Sequence, residues 1–292
     1  MAQALTASTL RLDHEGLPAV DGLTFATTGQ HVLLLGAPRV VFAAAAGLEA
    51  PARGTMCVQG VAPRLAVRAG LAASAFLDPP LPPRWTPRLL ATWSARLVGH
   101  GRSVARELAV DALRRLELTH LADTRIQHLP TAAKRASVLS AAIATGAMTL
   151  LVEWSSTGVA DPQARALARV FAKAMADRHS VVFTGRISLD SPLALAADET
   201  LIVDGSSVLA QDTPAEVAAR TQSHWLSVAG QVDKFVESVR AAGGRADLGH
   251  GTARTQRVRV DLGPLAIGDL FRIAAESNAV VIELRSICTM FA

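Results

Sequence analysis

Leu129–Ser156 reads LPTAAKRASVLSAAIATGAMTLLVEWSS. Its first half, Thr131–Ala144, is Ala-rich with Leu, Lys and Arg, residues that give up little freedom on entering a helix. Gly146 breaks that pattern, and Met148–Glu153 follows as a short apolar run, as expected of a strand covered on both faces. Ala136–Val152 carries no charge over 17 residues, which touches the lower limit for a membrane span. Its serines, its threonines and Gly146 argue instead for a buried helix, a break and a buried strand. A buried helix feeding a buried strand points to an α/β core.

Working outward, the same alternation recurs. Upstream, Thr9–Leu12 and Leu23–Thr27 alternate as short strands, and His31–Leu35 (HVLLL) is a buried strand ended by Gly36-Ala37-Pro38. An Ala-rich helix over Val40–Leu48 and a strand between Gly54 and Gly60 come next. Asp78–Pro87 holds five prolines in ten residues, which forbids regular helix there. Arg88–Leu118 is helical by period. Downstream, a helix over Asp161–Asp177 is followed by strands at Ser180–Thr184 and Thr200–Val203. Strands alternating with helices predict a largely parallel sheet with helices on both faces. From Trp225 the pattern becomes strand, helix (Val232–Ala242), strand (Arg257–Leu262), helix (Ile267–Ser277) and strand (Val280–Leu284), a separate α+β module.

The chain has 292 residues, half of them apolar and 18% charged, so it can bury enough surface to fold. Two cysteines, Cys57 and Cys288, exclude a disulfide framework and a cysteine-rich zinc site. The net charge of +4 comes from singly scattered arginines, with lysine only at 134, 173 and 234. No basic block points to nucleic acid. The eight histidines show no HxH or HxxxH spacing, and no G-x-S-x-G elbow occurs. Met1–Leu17 lacks the uninterrupted apolar stretch of a secretory signal. A cytoplasmic chain without direct membrane insertion is expected.

A phosphate-binding loop needs glycines for close backbone approach, a Lys for the β- and γ-phosphates and a Ser or Thr for magnesium. Gly36-Ala37-Pro38-Arg39-Val40-Val41-Phe42 has one glycine and neither of the others. A plain strand-to-helix turn is therefore favoured over Arg39 as a substitute phosphate ligand.

The order of segments nevertheless resembles the ATP-binding subunit of an ABC transporter. Residues 23–60 resemble that family's start: a strand, LLLG (Leu33–Gly36), a helix ending in AGLEAP (Ala46–Pro51), then Gly54 and Gly60 around a strand. Reading Leu129–Ala133 against the family's LSGGQ signature without gaps puts Glu153 on the Walker B aspartate and Trp154 on the catalytic glutamate. Thr131 and Ala132 then replace the signature glycines. Gly158–Pro162 resembles the D-loop with one inserted residue, and Ser180–Thr184 resembles the strand before the switch histidine, whose position is Gly185. ADETLIVDG (197–205) and QDTPAEV (211–217) echo the family's closing phrase. His14 stands at the usual adenine-stacking aromatic, and no Gln occurs between Gln59 and Gln127 to serve as the Q-loop glutamine.

The resemblance covers roughly Thr9–Arg220. It implies an ABC-type nucleotide-binding domain over 1–222, with a P-loop NTPase-like, mostly parallel sheet and a helical subdomain at about 78–145. A small α+β domain over 223–292, similar to the accessory domain of ABC-2-type subunits, completes the chain. His14, Gly36, Pro38, Arg39, Thr131, Ala132, Glu153, Trp154 and Gly185 become vestigial nucleotide-site positions, with no cofactor. The implied role is a catalytically inactive, structural or regulatory subunit of a membrane transporter-like complex, held at the cytoplasmic face of the inner membrane by its partner. That partner is an integral membrane subunit of ABC-2 type, a second ABC ATPase-like subunit in a homo- or heterodimer, or both. Trp85, Pro82, Pro83 and Arg84, in the proline-rich loop, are the expected contact. The alternative is a divergent subunit with weak ATPase activity, using Glu153 for Mg²⁺ and Arg39 for phosphate. A free-standing binding module, with its ligand or dimer contact in the C-terminal domain, is a third reading.

Overall fold

The computed structural model describes residues 3–37, 39–188, 190–219, 223–249 and 255–286. Pro38, His250 and Cys288 lie outside them. The chain divides into two compact units, Met1–Pro214 and Ala215–Ala292. The boundary expected at 222/223 falls beside residues 220–222, which are also outside the described set.

In the first unit, β1 (Leu5–His14), β2 (Leu17–Ala26) and β4 (Arg53–Val58) form an antiparallel sheet in the order β2-β1-β4. Between β2 and β4 the chain makes β3 (His31–Leu35) and α1 (Arg39–Ala45). It continues through α2 (Pro63–Arg68), β5 (Ala72–Ala75), α3 (Pro87–Leu97), α4 (Arg102–Arg115), α5 (Thr131–Ala144), β6 (Thr149–Glu153), α6 (Asp161–Met175), β7 (His179–Thr184), α7 (Pro192–Leu195), β8 (Glu199–Val203) and β9 (Val208–Asp212). A second sheet has the order β5-β6-β7-β3-β8-β9, parallel throughout except for β9. Val32–Leu35, Thr149–Val152, Ser180–Thr184 and the whole of β8 are buried, the signature of parallel strands with both faces covered.

Helices α3, α4 and α5 pack on one another through small residues. Ala91 and Ala95 of α3 and Ala105, Ala109 and Ala112 of α4 are fully buried, so an Ala-rich composition becomes close helix–helix contact. Thr86 caps α3 by accepting from the Leu89 amide at 3.2 Å, with Pro87 at the first helical position. The helical period over Arg88–Leu118 is thus two helices, interrupted around Gly99 and Gly101. Ala72–Ala75 and Val208–Asp212 are strands that too few apolar residues announce in the sequence.

The closing phrase has a structural task. Glu199, buried, accepts from the Thr28 and Gly29 amides at 2.7 Å each, from the Thr28 hydroxyl at 3.2 Å and from Gln211 Nε2 at 2.6 Å. Asp198 accepts from the Gln30 and His31 amides at 3.0 Å. Together the two carboxylates hold the turn into β3. A Cβ on Gly29 would collide with the Asp198 carboxylate, so glycine is required for this approach.

α8 (Pro214–Ala219) spans the boundary, and the second unit continues with β10 (Ser223–Gly230), α9 (Val232–Ala241), β11 (Arg245–Leu248), β12 (Gln256–Asp261), α10 (Ile267–Glu276) and β13 (Ala279–Ser286). The antiparallel order β11-β12-β10-β13 makes β10 to β13 a βαββαβ module. Leu226, Val228, Val258 and Val260 of the sheet pack with Phe235, Val239, Leu270 and Ile273 of the helices. β11 is polar and only four residues long, and the sequence pattern passes over it.

Two stability outcomes follow. Glu199→Ala strands two backbone amides and the Gln211 amide, and should cost about 2–4 kcal/mol in urea unfolding; Glu199→Gln should cost less. His31, bonded to Ser180 at 3.0 Å, is held below the ordinary imidazole pKa by burial, with His179 adding to the shift and Asp198 opposing it. Folded protein therefore binds this proton less readily than unfolded chain. Its contribution is complete above about pH 6.5 and is lost as pH falls below that value. Unfolding midpoints of His31→Gln should depend less on pH between neutral and mildly acid conditions.

Candidate functional site

In a parallel sheet the loops after the C-terminal strand ends are where ligands are held. Here three such ends lie side by side. The Gly36 amide, after β3, donates to Thr184 O at 3.2 Å, and the Trp154 amide, after β6, donates to Phe183 O at 2.8 Å. Gly36 has φ +75°, a conformation that suits glycine and lets the chain turn sharply from β3 towards α1. Phe42 fixes that helix: its fully buried ring meets Phe76 edge-on at 4.9 Å and Phe183 at 5.1 Å.

With α1 so placed, Arg39 reaches across β7 to the end of β6, a gap of two strand spacings or about 10 Å. Arg39 Nε lies 2.9 Å from Glu153 Oε1, and Nη2 donates to Oε2 at 3.5 Å. The Leu77 amide donates to the same Oε2 at 3.1 Å. Glu153 is 14% exposed as a side chain and Arg39 is 70% exposed. The pair thus has one foot in solvent, and its net contribution to stability is modest. Its local effect is larger: a cation seeking Glu153 must displace the guanidinium.

Trp154 turns away from that opening. It is 6% exposed and packs edge-on against Phe171 of α6 at 5.4 Å. An indole offers one N–H donor and no acceptor, so the position supplies no base. The cleft beside it, about 420 Å³, is flanked by Ser156, Arg186 and the Arg165–Asp190 ion pair at 2.7 Å. Among the described residues no group of three His, Cys, Asp or Glu side chains is arranged to hold a metal.

The remaining candidates are dispersed. Gly185 follows β7, exposed, one residue beyond the carbonyl that takes the Gly36 amide. Thr131 and Ala132 open α5, exposed and half-buried respectively, and no hydrogen bond joins them to Arg39 or Glu153 among the described residues. His14 is exposed at the end of β1, in the antiparallel sheet. Pro38 is outside the described residues. In the proline-rich loop, Pro82, Pro83 and Arg84 are exposed, and their backbone is fixed by Gln127 N donating to Pro83 O and Ile126 N to Trp85 O. Trp85 itself is half-buried, stacked on Trp93 with centroids 6.4 Å apart.

One residue escaped the sequence reading. Arg135 of α5, 6% exposed, grips Asp78 through Nε at 3.1 Å and Nη2 at 2.9 Å, and donates to the carbonyls of Ser155 at 2.8 Å and Thr157 at 2.9 Å. It ties the helical layer to the loops after β5 and β6. The available signal was a charge at the head of an otherwise uncharged, buried segment. Because Arg135 is buried and holds two backbone carbonyls while Asp78 is exposed, Arg135→Ala should lower unfolding stability by about 2–3 kcal/mol, whereas Arg39→Ala should lower it by less than about 1 kcal/mol, measured in the same denaturant series.

No family model and no curated protein matches the sequence. Solved structures do match the fold. The chain is similar to cbiO1 from Clostridium perfringens, described as part of the ABC transporter complex cbiONQ, at 16% identity, over 75% of this chain and 92% of that one, with a TM-score of 0.64. An ATP-binding subunit of an ABC transporter matches at 15% identity over 74% and 92%, TM-score 0.62. MJ1267, an ATP-binding cassette of an ABC transporter, matches at 13% identity over 74% and 94%, TM-score 0.63. The chain has the nucleotide-binding-domain fold of ABC transporters.

Proposed function

We propose that the chain is an ABC-transporter ATPase-like subunit that does not hydrolyse ATP and serves a membrane transporter-like complex as a structural or regulatory component. The observation that carries this reading is the Arg39–Glu153 ion pair. Under the resemblance, Glu153 stands where magnesium is held and Arg39 lies in the loop that cradles phosphate; here each neutralises the other. Trp154, at the position of the catalytic glutamate, is packed on Phe171. Gly36–Phe42 carries no lysine, serine or threonine, a donor set that does not suit Mg-ATP.

The family works as two subunits that share their sites. Paired with an ordinary partner, this chain would lack Walker residues for one site and signature glycines for the other. A scaffold docked on an integral membrane subunit of ABC-2 type, alone, as a homodimer or beside a second ATPase-like subunit, accounts for a retained frame without retained chemistry. The exposed Pro82, Pro83 and Arg84 suit such a contact, with Trp85 supporting the loop from behind. Among the described residues no helix is long and apolar enough to cross a membrane, so attachment to the cytoplasmic face of the inner membrane runs through the partner.

Calorimetric titration of the full chain with Mg-ATP, up to millimolar nucleotide, should give no binding heat, and Arg39→Ala should not restore it. Mg-ATP turnover abolished by Glu153→Ala would overturn the reading in favour of a divergent ATPase in which the ion pair opens to admit magnesium.

A further inference from the structure

The cleft beside Trp154, about 420 Å³, has the size of a small-molecule site, and neither Arg39 nor Glu153 lines it. One wall is a face of α6. Asp161, Ala164 and Ala168 stand three and four residues apart, so they share one side of the helix. The two alanines leave room that a larger apolar residue would fill. Arg186 and Ile187 line the cleft from the loop after β7. The floor is apolar: Trp154, Ala164, Ala168 and Ile187 are all buried.

Charge at the mouth comes in both signs. Arg165 and Asp190 are bonded to each other at 2.7 Å, and the Ser188 hydroxyl also donates to Asp190, so that pair is satisfied within the chain. Asp161 and Arg186 differ. Both are exposed, and among the described residues neither side chain forms a hydrogen bond or an ion pair, with the other or with any further group. Trp154 adds a third unused group. The residue is 6% exposed, yet its indole N–H has no hydrogen-bond partner among the described residues. Donors on buried side chains are ordinarily taken, and this residue borders the cleft.

A free anion, a free cation and an unmatched N–H around an apolar floor call for a ligand with complementary parts. A simple carboxylate leaves Asp161 facing an anion, and a simple amine leaves Arg186 facing a cation. A zwitterion with an apolar side chain satisfies both. We propose that this cleft binds a free α-amino acid with a large apolar side chain. Its ammonium meets Asp161, its carboxylate takes Arg186 and the Trp154 N–H, and its side chain lies on Ala164, Ala168 and Ile187. The inference does not depend on whether nucleotide binds.

The test is calorimetric titration of the full chain with L-leucine, L-methionine and L-phenylalanine, of which at least one should bind. For that amino acid, the N-acetyl derivative and the carboxamide should each bind about tenfold or more weakly, since each lacks one charge. Arg186→Gln should abolish the preference over the carboxamide, and Asp161→Asn the preference over the N-acetyl form. Both residues are exposed, so the fold tolerates these changes. Trp154→Phe, with circular dichroism matching the parent, should also weaken binding. Arg169→Gln, on the same helix but outside the cleft, should leave it unchanged. No heat with any of the three amino acids, equal affinity for free and blocked forms, or an equal loss in Arg169→Gln would each overturn the proposal.

Discussion

Everything in the first unit hangs on the parallel pairing of β6, β7 and β3. Strands of Val, Leu, Ile and Thr with both faces covered must bond their backbone to neighbours on each side, since no water reaches them. Satisfying that requirement brings three strand ends together and delivers the Gly36, Glu153 and Gly185 turns to one edge of the sheet. The buried Phe42 and Phe183 with the half-buried Phe76 then fix α1 over that edge. The site follows from the sheet, whatever residues its loops carry.

Those residues explain why a retained frame need not retain chemistry. A phosphate loop and a magnesium carboxylate cooperate because a cation and an anionic ligand lie between them. With Arg39 facing Glu153 directly at 2.9 Å, the positive and negative groups satisfy each other within the chain. Trp154, the next residue, is core packing against Phe171. Under the proposed function the two features act in one direction: one carboxylate is already paired and the next position offers no acceptor.

The helical layer shows the opposite tendency. Its inner contacts are made by alanines and by the buried Arg135, whose bonds to Asp78, Ser155 and Thr157 attach it to the sheet. Its outer side keeps large apolar groups and unpaired arginines in solvent, at a cost that a chain serving only to pack its own core has no reason to bear. An ion pair at the sheet edge and exposed apolar side chains on the helices are the features on which the proposed role as a non-hydrolysing subunit rests.

Legibility in the sequence followed burial on both sides. His31–Leu35 and Thr131–Ala144 were readable to the residue, and the other buried strands nearly so, because a run of apolar residues has few alternatives once it must be covered. Short or polar elements such as Ala72–Ala75, Val208–Asp212 and Arg245–Leu248 were not, since their strand conformation comes from neighbours that supply the bonds. The spacing between Leu129 and Glu153 was also readable, for helix, turn and strand lengths are local quantities. Which side chains meet is not local. Arg39 and Glu153 are far apart in the chain, as are Arg135 and Asp78, and their pairing depends on strand order and on where Phe42 packs. Sequence alone determined the long buried elements and the spacing between them; tertiary structure decided that Arg39 meets Glu153 and that Trp154 packs on Phe171, because only folding sets the distances at which charge and shape act.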